Sequence, residues 1–180
     1  MLFLFWIVPI FAVCVRLLDY SVVKVLQKSS YNSSGQLVAS KVSTTVLFAT
    51  LPGQLNPFHV TTGLVWEEGI TYEVAITGWS LESDMEYRPL TTTITRTEES
   101  PFLGTWVDVE ARNDESVPLA DVYGTAWSLE QGDPSDRRLL SNCLAPGETA
   151  AFSEFLWGVQ GIEVYSIQAA AQGVVEPCEP

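Results

Sequence analysis

"LPGQLNPF" runs from Leu51 to Phe58, and a near copy, "APGETAAF", runs from Ala145 to Phe152. In both, a Phe follows the Pro by six residues. Pro fixes φ and Gly admits positive φ, so the dipeptide sets a tight turn, and the Phe then returns a ring to the core. From Leu51 to Ala145 the offset is 94 residues. Similarity continues after each copy, in "GITYEVAITGW" from Gly69 and "GIEVYSIQAAAQG" from Gly161. It also precedes them, in "SYNSSGQLV" at Ser30–Val38 and "WSLEQGD" at Trp127–Asp133. A period this long exceeds any solenoid unit and suits two copies of one small domain, each with its own core.

Both copies read as β. In "TWVDVEAR", Thr105, Val107, Val109 and Ala111 alternate with Trp106, Asp108, Glu110 and Arg112. In "TYEVAIT", Tyr72, Val74 and Ile76 share a face, as do Tyr123, Trp127 and Leu129 in "DVYGTAWSL" and Val23, Val25 and Tyr31 in "SVVKVLQKSSY". A period of two marks half-buried strands. The Thr-rich, β-branched run "TTTITRT" also favours strand. Turn formers separate these runs: "NSSG", "LPGQ", "RNDES", "EQGDPSD" and "APGE". No helical stripe follows Leu18. Short strands punctuated this often predict an all-β chain of antiparallel sandwiches.

The net charge of −13 argues against nucleic acid and against anionic lipid as partners, since both would be repelled. His59, the only histidine, has no nucleophile elbow or metal-ligand partner near it, so neither catalytic nor metal residues are assigned. The carboxylates Glu82, Asp84, Glu86, Asp114, Glu115, Asp133 and Asp136 lack an EF-hand layout and read as solvated loops. A glycosidase pair would need a deeper cleft than two small sandwiches offer. No cofactor motif is present, because there is no Gly-rich phosphate loop. Cys143 and Cys178 form either a disulfide in an oxidising compartment or two unrelated thiols.

Leu2 to Cys14 carries no polar side chain other than the thiol. The apolar stretch of residues 1–18 is short for a membrane span and reads as a signal or anchor segment. The opposing reading makes Ile10 to Leu18 a truncated core strand, since no Lys or Arg precedes the run.

"VDVEARNDESVPLADVYGTAWSLEQGD", "LAPGETAAF" and "IEVYSIQAAAQ" together carry a layout. It is a strand ending in Asn113, a turn, a strand leading to a turn at Gly132, then Pro146-Gly147-Glu148, Phe152 and a last strand. This order and spacing resembles the FxLYD domain family, small Ig-like sandwiches of bacteria and archaea. The first copy matches from "SYNSSGQLVAS" through "LPGQLNPF" to "YEVAITG"; "CVRLLDYSVV" departs from the family's first strand, which leaves the first domain incomplete at its N-terminus. The resemblance implies two tandem Ig-like antiparallel β-sandwiches at residues 19–81 and 89–175, joined by a linker at 82–88. It implies no catalytic residue. It also implies an extracytoplasmic place, secreted or membrane-anchored at the cell surface, in agreement with the apolar N-terminus.

Two function classes follow. One is a noncatalytic spacer or protein-interaction module; the other is a carbohydrate-binding module using exposed Trp, and the partner is accordingly a protein or a glycan at the cell surface. Of Trp66, Trp79, Trp106, Trp127 and Trp157, the ligand-binding candidates are Trp79 and Trp106, which fall opposite the more apolar faces of their strands.

Overall fold

The computed structural model describes residues 24–51, 54–59, 69–79, 85–130, 134–161 and 164–179. The apolar segment 1–18, Pro52, Gly53, Trp66 and residues 82–84 of the expected linker lie outside the described residues, as does the side chain of Trp79.

The described chain is all-β with antiparallel sheets. Its strands are β1 (Lys24–Tyr31), β2 (Leu37–Thr44), β3 (Thr71–Trp79), β4 (Tyr87–Ser100), β5 (Gly104–Arg112), β6 (Leu119–Ser128), β7 (Arg138–Leu144), β8 (Thr149–Trp157) and β9 (Ile167–Val174). A single 3-10 turn, Val164–Ser166, precedes β9. One sheet has the order β2-β1-β3 and the other β7-β6-β9-β4-β5-β8. The order β7-β6-β9 repeats β2-β1-β3: a hairpin partner lies on one side of the first strand, and a later strand returns on the other.

The six-stranded sheet is nearly a closed barrel because β4 serves two neighbours in turn. Tyr87–Leu90 pair with β9, and Thr91–Ser100 pair with β5, with a register shift between Ile94 and Arg96. Tyr87 and Arg88 are therefore strand, paired to Val174 and Gly173, and not part of a joint as the sequence suggests. The curl brings the two end strands together, and Arg138 Nη1 on β7 donates to the Ser153 carbonyl on β8 at 2.7 Å.

The core lies between the two walls. Val107, Val109 and Ala111 of β5 meet Val122 and Ala126 of β6, Phe152 and Leu156 of β8, and Ile167 and Ala171 of β9. The expected alternation in β5 is the observed one: Thr105, Val107, Val109 and Ala111 are buried. Each fully buried Val or Leu contributes about 1.5–3 kcal/mol. In the three-stranded sheet, by contrast, Val74 and Ile76 share the expected face yet are exposed. No described strand covers that face.

The turn chemistry is visible in the second copy. The Glu148 amide donates to the Ala145 carbonyl at 3.1 Å, with Gly147 at φ 78°, which makes Ala145–Glu148 a type II turn with Pro at its first central position. The Gln54 amide donates to the Leu51 carbonyl at 3.0 Å, the same closure four residues long. Phe58 and Phe152 are both buried. A buried Asn braces each turn. Asn113 Nδ2 donates to the carbonyls of Val117 (3.0 Å) and Leu144 (2.9 Å), while its Oδ1 accepts from the Glu115 amide at 3.0 Å. Asn56 Nδ2 donates to the carbonyls of Leu47 and Ala49, both at 3.0 Å, and its Oδ1 accepts from the Leu47 amide at 2.9 Å.

The loop that carries the first turn docks on the second half. Leu47 and Leu55 pack against Trp127 and Ala170, and Phe48 meets Tyr123 edge-on at 5.0 Å. Arg137 stacks over the Phe48 ring at 3.7 Å. Gln172, fully buried on β9, orients its amide to donate to the Ala49 carbonyl (3.0 Å) and to accept from the Phe48 amide (2.8 Å). Each half does not simply bury its own core; a small second core spans both.

Candidate functional site

The outer face of β4, β5 and β8 carries the side chains most available for recognition. Alternation sends Val107 and Val109 inward, so Trp106, Asp108, Glu110 and Arg112 point outward. On β8, Phe152 and Leu156 go inward, and Ser153, Phe155 and Trp157 go outward. Register then sets Trp106 opposite Phe155, Asp108 opposite Ser153, and Gly104 opposite Trp157.

The aromatic rings form one cluster. Trp106 and Phe155 have centroids 5.0 Å apart at 56°, and Phe155 and Trp157 lie 4.6 Å apart at 84°. Trp106 is 48% exposed and Trp157 65%. Gly104 makes this possible by close approach: a Cβ there would sit 2.4 Å from the Phe155 ring. The cluster continues onto the β4–β5 hairpin tip, where Phe102 is 74% exposed and Leu103 adopts φ 55°. The Leu103 carbonyl accepts from the Gly158 amide at 2.9 Å, which ties the tip to the end of β8. An exposed apolar patch of this kind marks a binding surface more often than chance.

Beside Trp106 lies a depression of about 330 Å³ lined by Arg96, Glu98, Asp108 and Ser153. Ser153 Oγ donates to Asp108 Oδ1 at 2.5 Å, Arg96 lies 3.9 Å from Asp108, and Arg96 also pairs with Glu98. A second groove of about 550 Å³ adjoins it through Asp108 and Ser153 and extends to Glu110, Arg138, Leu139 and Ala151. Behind this groove Glu154 lies 3.7 Å from Arg138. Burial pushes the Glu154 carboxyl above its usual range, against the lowering effect of Arg138, and Asp136 adds to the rise.

The sequence candidates fall as follows. Trp106 stands at the centre of the outer face. Trp79 ends β3, in the other sheet, and its side chain lies outside the described residues. Trp127 is buried under Leu47. Phe155 escapes the sequence reading and Trp157 is not among its chosen candidates, although alternation counted forward from Phe152 puts both outward. Cys143 and Cys178 are joined by a disulfide that pins the tail after β9 to β7. His59 is exposed. Among the described residues no group of three or more His, Cys, Asp or Glu could hold a metal ion. The chain matches no protein-family model and no curated protein.

Proposed function

We infer that this chain is a noncatalytic, extracytoplasmic module of two tandem Ig-like sandwiches, which acts as a surface spacer and presents the outer face of β4, β5 and β8 to a partner. The observation that carries the reading is the exposed Trp106–Phe155–Trp157 cluster, because large rings on a sheet surface hold partners while contributing nothing to the core. The charged groups around it are paired with one another, an arrangement for holding and not for proton transfer. The Ig-like assignment is supported by β4 changing partners between two walls and by the connection of β5, β6, β7, β8 and β9 across them. The repeated strand order β2-β1-β3 and β7-β6-β9 supports a duplicated unit and the FxLYD-like layout. The disulfide supports an oxidising compartment.

The test has two arms. A C-terminally tagged chain, expressed in the organism of origin, is expected in the extracytoplasmic fractions; full-length protein confined to the cytosol refutes the placement. Purified, labelled full chain is expected to bind those cells saturably, and the Trp106→Ala/Trp157→Ala variant to lose that binding. Equal binding by the variant refutes the role of the face.

A further inference from the structure

We propose that the depression beside Trp106 binds a neutral, hydroxyl-rich glycan chain. This rests on reading the outer face as a recognition surface, and it names the ligand.

Three observations select that chemistry. The first is the juxtaposition of an exposed indole with a polar floor. A pyranose has an apolar face of C–H bonds and a rim of hydroxyls. Trp106 supplies a ring for the face, and Arg96, Glu98, Asp108 and Ser153 supply the floor for the rim. A buried apolar peptide side chain would instead take those polar groups out of water without adding a hydrogen bond to any of them, at a cost.

The second is charge. Arg96 is already shared by Glu98 and Asp108, and Asp108 also accepts from Ser153. In the adjoining groove Arg138 is engaged by the Ser153 carbonyl and lies near Glu154. A cationic or anionic ligand would have to break such pairs to gain one of its own. A hydroxyl can donate to a carboxylate and accept from a guanidinium at once, so it adds bonds without displacing any. The net charge of −13 further disfavours a polyanionic glycan.

The third is shape. The two depressions join through Asp108 and Ser153, and they run along β5 from Trp106 to Glu110. Four residues of strand span about 14 Å at roughly 3.4 Å each. That length takes several sugar units in a line. Successive rings tilted by 56° and 84° do not make a flat platform, so the face suits one twisting soluble chain and not a crystalline polysaccharide surface.

The experiment is affinity electrophoresis of the full chain through gels containing hydroxyethylcellulose, laminarin, galactomannan or xylan as neutral probes, with polygalacturonate as the anionic one. At least one neutral polysaccharide is expected to retard the chain, with polygalacturonate inert. Trp106→Ala should weaken that retardation at least tenfold, equivalent to about 1.4 kcal/mol. Asp108→Asn and Arg96→Gln should weaken it less. Tyr165→Ala, which removes an exposed ring elsewhere, should leave it unchanged. Far-UV circular dichroism checks that each variant folds; should Trp106→Ala unfold, Trp157→Ala and Asp108→Asn carry the test. No retardation by any neutral polysaccharide, or retardation indifferent to these outer-face substitutions, overturns the proposal. If cell binding requires Trp106 but is abolished by protease treatment of the cells, the partner is a protein: the glycan assignment falls and the interaction reading stands. If cell binding ignores Trp106 and Trp157, both fall.

Discussion

Removing the Cys143–Cys178 disulfide gives the most quantitative test of how the second half is held. The bridge closes a loop with a sequence separation of 35 residues. Loop-closure entropy for that length is about 13 cal/mol/K, or roughly 4 kcal/mol at 25 °C. The native tail supplies a correction. After β9 it is held by the bridge and by the Val175 amide donating to the Glu86 carbonyl at 2.8 Å, so cutting the bridge frees a few native residues as well. That freedom returns part of the loss, and the expected destabilisation of a Cys143→Ala/Cys178→Ala variant is about 2–4 kcal/mol. With a urea m-value of roughly 2 kcal/mol/M, the midpoint should drop by about 1–2 M. The variant and the reductant-treated parent should coincide. Identical midpoints with and without reductant, or a thiol titration showing Cys143 and Cys178 both free in the oxidised chain, would refute the reasoning.

Gly104→Ala should destabilise by about 1–3 kcal/mol and disturb the near-ultraviolet signal of the ring cluster, because the new methyl lies 2.4 Å from the Phe155 ring and 2.8 Å from the Leu156 carbonyl. Asn113→Ala should cost about 2–4 kcal/mol in urea melts, since it strips a partner from the buried Leu144 carbonyl as well as from Val117. Phe152→Ala, which truncates a core side chain, should cost about 3–5 kcal/mol; a loss near zero would mean that the repeated Phe is only compositional. For Glu154 the folded carboxyl holds its proton more tightly than the unfolded one, so its contribution is most favourable at low pH and is lost as pH rises above the ordinary value of 4.5. Glu154→Gln should therefore flatten the stability profile between that value and neutrality and gain stability at pH 7; a steeper profile would show that the Arg138 pairing outweighs burial.

Much of this architecture was legible because it depends on local rules. Pro-Gly followed by Phe predicts a turn and a buried ring from residues within eight positions of one another. The alternation in "TWVDVEAR" assigns inside and outside to β5 for the same reason. What alternation states, however, is that residues share a face, not whether another layer lies over it. Val74 and Ile76 are exposed for that reason, and Trp127 is buried for the complementary one, under a loop some eighty residues upstream. The docking of Leu47 and Phe48 has no period to betray it. "VLFATL" is simply apolar, and its partners Tyr123, Trp127 and Gln172 are identified only once the sheets exist. The length of β4 was hidden by the charges in "LESDMEYR", although Tyr87 and Arg88 pair with β9.

The places where local rules fail are also informative, because they are not scattered. Among the described residues, two non-glycine residues have positive φ, Leu103 and Asp121. Asp121 sits within the register shift of β6 against β9, between Ala120 and Tyr123, and Asp tolerates that conformation, so a bulge accounts for it. Leu103 ends the three-residue loop between Ser100 and Gly104, where a left-handed last residue is common, but an exposed leucine holds the position in place of the usual glycine, next to an exposed Phe102. Within the same few residues Gly104 opens β5, and the Phe155 ring from across the sheet occupies the place a side chain there would take. Exposed rings and a left-handed leucine each oppose stability, and both lie at one end of the β4–β5–β8 face. A chain that keeps both unfavourable features at one place, while Asn56 and Asn113 satisfy buried backbone groups elsewhere, concentrates its departures from a stable fold at the face proposed for recognition.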